Sequence, residues 1–239
     1  MLVLNVPRFA GYAARAAACV GAALVCTQNA HAARPMVTDD ARLVDPYACQ
    51  VESWVRREQG RTEAWALPGC NVTGNLELTA GGAVRNAEGS THLAARVLQA
   101  KTLMRTLQPN DWGWGVVVGT VQDPQAGRGR EWYAYAPISR SLLEDRVVVH
   151  ANLGWAREQE SRAHRFTWGL GCETQLGARS WLVAETFGRG SDQPLYQVGV
   201  RHWVVPDRVQ VDTTYGNRVG GGGHWVSIGL RLLSPAWLR

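Results

Sequence analysis

The chain has 239 residues, 25 Lys and Arg against 20 Asp and Glu, and a formal charge of +5 at pH 7. That excess is small and scattered, and no basic run or stacking-aromatic motif accompanies it, which argues against a nucleic-acid partner. After the first 32 residues no stretch reaches 18 consecutive apolar residues, which excludes membrane helices.

In chain order, the first element is an export leader. Arg8 and Arg15 precede an apolar run over residues 16–26 (AAACVGAALVC), and Ala30-His31-Ala32 supplies a small-x-small cleavage pattern. The run is shorter than the ~20 residues a bilayer-crossing helix needs, so residues 1–32 read as a signal peptide cleaved between Ala32 and Ala33. Cys26 suggests a lipoprotein signal instead, but Val25 stands where lipidation wants a small residue. Removal of Arg8 and Arg15 lowers the charge to +3. Residues 33–46 are expected to form an N-terminal periplasmic segment and residues 47–239 the folded domain.

From there on the apolar period is two. Val147, Val149, Ala151, Leu153 and Trp155 alternate with His150, Asn152 and their neighbours, and Val209, Val211, Thr213 and Tyr215 alternate with Gln210, Asp212 and Thr214. Phe166, Trp168, Leu170 and Cys172 do the same against Thr167, Gly169, Gly171 and Glu173, as do Val226, Ile228, Leu230 and Leu232 against Ser227, Gly229 and Arg231. Strands are expected near 47–57, 62–68, 72–84, 92–104, 112–121, 131–137, 146–156, 164–175, 180–187, 195–205, 207–216 and 224–233. About twelve short strands, an even number, with one apolar face each describe an all-β fold, a transmembrane antiparallel up-and-down β-barrel with lipid outside and polar packing or water inside. Polar loops are expected after strands 3, 5, 7, 9 and 11 (RNAEGST, QDPQAGRGR, REQESRAH, GRGSDQP, GNRVGGGG), and tight turns after strands 2, 8 and 10 (PGCN, LGARS, PD). With the turns in the periplasm, both termini lie there too. The first and sixth connections, Gln59-Gly60 and the stretch from Ile138 to Asp145, fit this alternation poorly.

A two-residue turn at Gln59-Gly60 sets Arg56 opposite Glu63, Trp54 opposite Trp65 and Cys49 opposite Cys70, within the separation a disulfide tolerates. Cys49 and Cys70 are therefore a disulfide candidate in an oxidising periplasm. The alternative is a pair of small reduced core residues. Cys172 is left over, and no C-x-x-C or His cluster argues for a metal. The eleven tryptophans spread almost one per strand, as an aromatic girdle at two membrane interfaces would place them. A soluble β-sandwich or lipocalin-like binding barrel is the alternative, weakened by the charges opposite the apolar face, because a small soluble barrel fills its interior with apolar side chains.

The segment Arg34-Pro35-Met36-Val37-Thr38-Asp39-Asp40-Ala41, followed by Cys49-Gln50-Val51-Glu52, resembles the mature start of exported β-barrel proteins of the MetA-pathway (phenol degradation) family. Leu98-Gln99-Ala100-Lys101, Asn152-Leu153-Gly154, Val183-Ala184-Glu185, Gln197-Val198-Gly199-Val200-Arg201 and Val209-Gln210-Val211-Asp212 extend the likeness in order through the chain. The resemblance implies an outer-membrane barrel that passes aromatic or hydrophobic compounds. Two features depart from it: the cysteines of the first hairpin, and the C-terminal Pro235-Ala236-Trp237-Leu238-Arg239, where barrel proteins commonly end on an aromatic residue.

Gln99, Lys101, His150, Asn152, Glu173, Glu185, Gln197, Arg201, Asp212 and Arg231 are all expected to point into the lumen, lining a polar channel or plugging it. Enzymatic signatures are absent: there is no G-x-S-x-G, no H-E-x-x-H, and Gly220 to Gly223 lack the Lys-Ser/Thr of a phosphate loop. Ser227 with His150 is the one pair that could serve a membrane-embedded hydrolase. The expectation is a Gram-negative outer-membrane channel for small hydrophobic or aromatic solutes, dependent on lipid and the barrel assembly machinery, without cofactor. A non-conducting structural barrel is the alternative.

Overall fold

The computed structural model describes residues 36–237. The expected leader and its cleavage site at Ala32 and Ala33 lie outside the described residues. Twelve strands follow one another: β1 (Cys49–Glu58), β2 (Arg61–Asn71), β3 (Glu77–Ala87), β4 (Ser90–Arg105), β5 (Trp112–Gln122), β6 (Glu131–Leu142), β7 (Val147–Arg157), β8 (His164–Gly177), β9 (Ser180–Arg189), β10 (Leu195–Val205), β11 (Val209–Arg218) and β12 (Trp225–Leu233). Each pairs antiparallel with its chain neighbours, and β1 pairs with β12, so the sheet closes on itself and leaves no unpaired edge.

The two faces are those the period of two dictates. Leu98, Val118, Leu153, Phe166, Leu170, Val226 and Ile228 stand exposed on the outer wall, whereas Gln50, Glu52, Lys101, His150, Glu173, Glu185, Gln210 and Asp212 are buried within it. Charge inside and grease outside is the inverse of a water-soluble barrel and matches lipid contact. The acidic residues of the strands all fall on the inward parity.

The first hairpin turns on Gln59 and Gly60, both left-handed (φ 42° and 82°), as a two-residue turn matched to strand twist requires. Its register pairs Arg56 with Glu63, Trp54 with Trp65 and Cys49 with Cys70, and the last two are joined as a disulfide. Cys172 is free. Alkylation of unreduced protein followed by mass spectrometry is expected to modify Cys172 alone; modification of all three would reject the bridge.

Three connections differ from the sequence expectation. Pro68, Gly69, Cys70 and Asn71 continue β2, and the turn spans residues 72–76. Pro68 reads as a turn because it lacks an N–H, yet here the missing donor falls in a gap of the β2–β3 ladder, between the Ala66–Gly82 and Gly69–Thr79 pairs, while β1 still pairs with it. Most of RNAEGST is strand, with Glu88-Gly89 alone as the turn. The sixth connection is also short, because β6 runs on to Leu142 and leaves residues 143–146. Both termini of the sheet, Cys49 and Leu233, therefore share one end with the connections at 72–76, 106–111, 143–146, 178–179 and 206–208, and the remaining six connections form the opposite, loop end.

The tryptophans divide. Trp112, Trp132 and Trp155 lie on the outer wall, but Trp54, Trp65 and Trp225 are 3–6% exposed and point inward. Trp54 stacks on Trp65 with centroids 5.2 Å apart, and both pack with Leu67, Ala83, Ala95, Val97 and Val121. The expected girdle is thus only part of their role, because a barrel of this width still needs bulk to fill its upper half.

Candidate functional site

The largest departure from the sequence expectation is the segment before β1. Residues 36–48 lie within the barrel instead of forming a separate periplasmic element: Met36, Thr38, Asp39, Ala41, Val44 and Ala48 are all buried. Tyr47 sits at the terminal end, where its N–H donates to the Asn71 carbonyl (2.9 Å). From there the segment climbs the lumen until Val37 packs against Phe187, Leu195 and Trp225, near the loop end.

A single extended chain in a lumen has backbone groups that no ladder satisfies, so strand side chains must do it. Val44 is bracketed by Glu77, which accepts its N–H (3.0 Å), and by Asn71, which donates to its carbonyl (2.9 Å). Ser139 Oγ accepts the Ala41 N–H (2.8 Å). Asn152, with its amide oriented by these partners, donates to the Asp39 carbonyl (3.0 Å) and accepts the Asp39 N–H (2.7 Å). Glu185 accepts both the Val37 and Thr38 N–H groups at 2.6 Å and is itself held by Gln197 Nε2 (2.6 Å).

Charge is matched in the same way. Lys101 Nζ lies 2.7 Å from Asp39 and 3.3 Å from Asp40, all three side chains being at most 15% exposed, and Tyr135 donates its hydroxyl to Asp39 (2.9 Å). Arg42 reaches Asp145 at the terminal end (3.3 Å). Further around the wall, Arg201 pairs with Glu173 (2.6 Å), Arg231 with Glu52 (3.5 Å) and Gln50 (2.8 Å), and Arg189 with Glu131 through two bonds of 2.7 and 2.8 Å. Room for the segment comes from β8, where Gly169 and Gly171 face inward. A Cβ there would stand 2.6 Å from Thr38 Oγ1 and 2.1 Å from Met36 Cε.

The ten sequence-chosen residues therefore share the interior. Lys101, Asn152, Glu185 and Gln197 hold the segment directly or through one partner, and Gln99 accepts from Tyr133 (3.0 Å). His150, Glu173, Arg201, Asp212 and Arg231 belong to the surrounding wall network. His150 and Ser227 are not brought together: His150 Nδ1 meets Ser139 Oγ (2.8 Å), while Ser227 Oγ meets Thr214 Oγ1 (2.7 Å). Ser139 and Asn71 lie in stretches that read as connections, whereas Glu77 lies inside the expected strand 72–84 and carries no sequence signal beyond its inward parity. Extending the alternation past Pro137 and Pro68 would have turned Ser139 and Cys70's neighbours inward.

Above the segment, toward the loop end, a cavity of about 100 Å³ is lined by Val37, Tyr133, Tyr135, Phe187 and the Glu131–Arg189 pair. A second, of about 30 Å³, lies beside Lys101 and Arg231.

A closed twelve-stranded antiparallel barrel with an apolar outer wall and a charged interior is the architecture of the outer-membrane barrel porins. The chain belongs to the family described as Uncharacterised conserved protein UCP029691, whose model matches residues 21–233. No curated protein matches the sequence. Among solved structures it is similar to the KdgM porin (9% identity, TM-score 0.61, covering 77% of this chain and 98% of that one) and to the NanC porin (9%, 0.59, 77% and 98%). It is also similar to the COG4313 outer membrane channel from Pseudomonas putida F1 (10% identity, TM-score 0.55, 82% and 98%). At such identities the likeness is one of fold.

Proposed function

We propose that the protein is a Gram-negative outer-membrane channel for small hydrophobic or aromatic solutes, held closed by its own N-terminal segment. The observation that carries this reading is the way the lumen is filled. Between Val37 and Val44, among the described residues, the segment pairs with strand side chains and with no strand backbone. Its withdrawal would leave every ladder of the barrel intact, so the obstruction is separable from the wall. The cavity above it pairs aromatic faces, Tyr133, Tyr135 and Phe187, with one ion pair, a combination suited to a flat ring bearing a polar group. The resemblance of residues 34–41 and of the lumen motifs to the phenol-degradation family agrees with such solutes.

With the segment in place the described cavities are small, which favours the structural-barrel alternative until the segment moves. Single-channel recording in planar bilayers separates the two. The intact protein is expected to show small, intermittent conductance, and a variant lacking residues 36–44 a larger and steadier one. Millimolar benzoate should depress the current more than lactate. A deletion variant that folds, as judged by faster migration on unboiled gels, and passes no current would put the structural barrel ahead.

A further inference from the structure

On the outer wall, near the loop end, a cleft of about 320 Å³ is lined by Ala80, Gly81, Arg96, Leu98, Thr120, Gln122 and Arg130. Its position follows from register. Arg96 pairs with Gly82 on one side and Gln122 on the other, and continuing the β5–β6 register one step past Val121–Glu131 brings Gln122 to Arg130. Alternation sends all of them outward, because Val97, Val121 and Glu131 next to them are buried in the interior. Arg96 and Gln122 thus sit side by side on β4 and β5, about 5 Å apart, and Arg130, the residue before β6, lines the same cleft. Both guanidinium groups are within reach of a single anion over Gln122.

The row beneath, about 7 Å along the strands, is Ala80, Leu98, Thr120 and Trp132. Trp132 is half-exposed on the wall, at the level where indole marks a membrane interface. Gly82 and Ala80 leave the wall low beside Leu98 and open a path for an acyl chain. No acidic side chain answers the two arginines among the described residues. Glu131, adjacent to Arg130, points inward to Arg189 (2.7 Å), and Asp123 faces Arg85 (3.9 Å) and caps the turn at Pro124–Ala126. Two guanidinium groups without partners on a lipid-facing wall are disfavoured unless something anionic meets them there.

We infer that this cleft binds the phosphate-bearing headgroup of a glycolipid in the outer leaflet, with its acyl chain lying over Ala80 and Leu98. The leaflet rests on the proposed outer-membrane reading, in which the terminal end faces the periplasm and the loop end lies outside. Guanidinium suits the ligand because its fork matches phosphate oxygens in pairs. The site lies on the opposite side of the wall from the lumen and does not depend on whether the barrel conducts.

The test uses the full mature protein in detergent micelles and native mass spectrometry, with lipopolysaccharide, its enzymatically dephosphorylated form, and phosphatidylglycerol as probes. Lipopolysaccharide is expected to bind at least tenfold more tightly than the other two. The double variant Arg96→Gln/Arg130→Gln should lose that preference, while Arg179→Gln, an exposed arginine at the terminal end, should keep it. Unboiled-gel migration confirms that each variant is folded. Equal binding of the dephosphorylated lipid, tighter binding of phosphatidylglycerol, or an unchanged double variant would each overturn the assignment.

Discussion

Lys101→Gln is expected to release the N-terminal segment while leaving the barrel folded. Lys101 is the cation that answers both Asp39 and Asp40, and neither it nor Asp39 exceeds 5% side-chain exposure. Glutamine retains a hydrogen-bond donor but removes the charge, so two neighbouring carboxylates remain in a site with little water. Removing one partner of a buried ion pair costs about 3–5 kcal/mol, and each ~1.4 kcal/mol is tenfold in an equilibrium. The population with the segment out should therefore rise by roughly two to three and a half orders of magnitude. The strand ladders are not involved, because Lys101 meets the segment through its side chain alone. The readout is a cysteine placed at Ala41, which is fully buried beside Ser139. A water-soluble maleimide should label it slowly in the otherwise native protein and rapidly with Lys101→Gln. Adding Asp39→Asn and Asp40→Asn to Lys101→Gln should restore much of the protection, since neither position then carries a carboxylate that has lost its cation. Equal labelling in all backgrounds would show that the ion pair does not hold the segment.

Ile228→Arg tests the other face. Ile228 is 70% exposed and lies on β12 between Val55 and Thr213, both of outward parity. In water, arginine at such a position is free to hydrate and the change is close to neutral. Against lipid it costs about 2–4 kcal/mol near the midplane. Its inward neighbour supplies the contrast: Ser227 is buried and bonded to Thr214, so Ser227→Ala removes that neutral hydrogen bond, worth about 1 kcal/mol. Urea titration of protein folded into liposomes should rank Ile228→Arg well below Ser227→Ala in stability. The opposite ranking, with Ile228→Arg near the parent, would return the chain to the soluble-barrel reading.

Much of this architecture is already written in the chain. A period of two sorts residues between the faces of a strand whatever the strand packs against, so the inward parity of Lys101, His150, Glu173, Glu185 and Asp212 was legible, as was the register set by Gln59-Gly60. Strand ends were less so: Pro68 and Pro137 look like breaks, but each sits in a gap of one ladder and keeps its pairing on the other side, to β1 and β7 respectively, which carries the strands past them.

The filling of the lumen was decided by the tertiary structure alone. Residues 36–48 carry no periodic pattern, and their partners come from β2, β3, β4, β6, β7 and β9, strands that are neighbours across the cylinder only after it has closed. The same holds for Trp54, Trp65 and Trp225. Indole is at home both at a membrane interface and in a packed core, so its type cannot choose the face. Alternation says which side chains share a surface; what occupies the space those surfaces enclose depends on the diameter and register of the closed sheet, and those exist only in three dimensions.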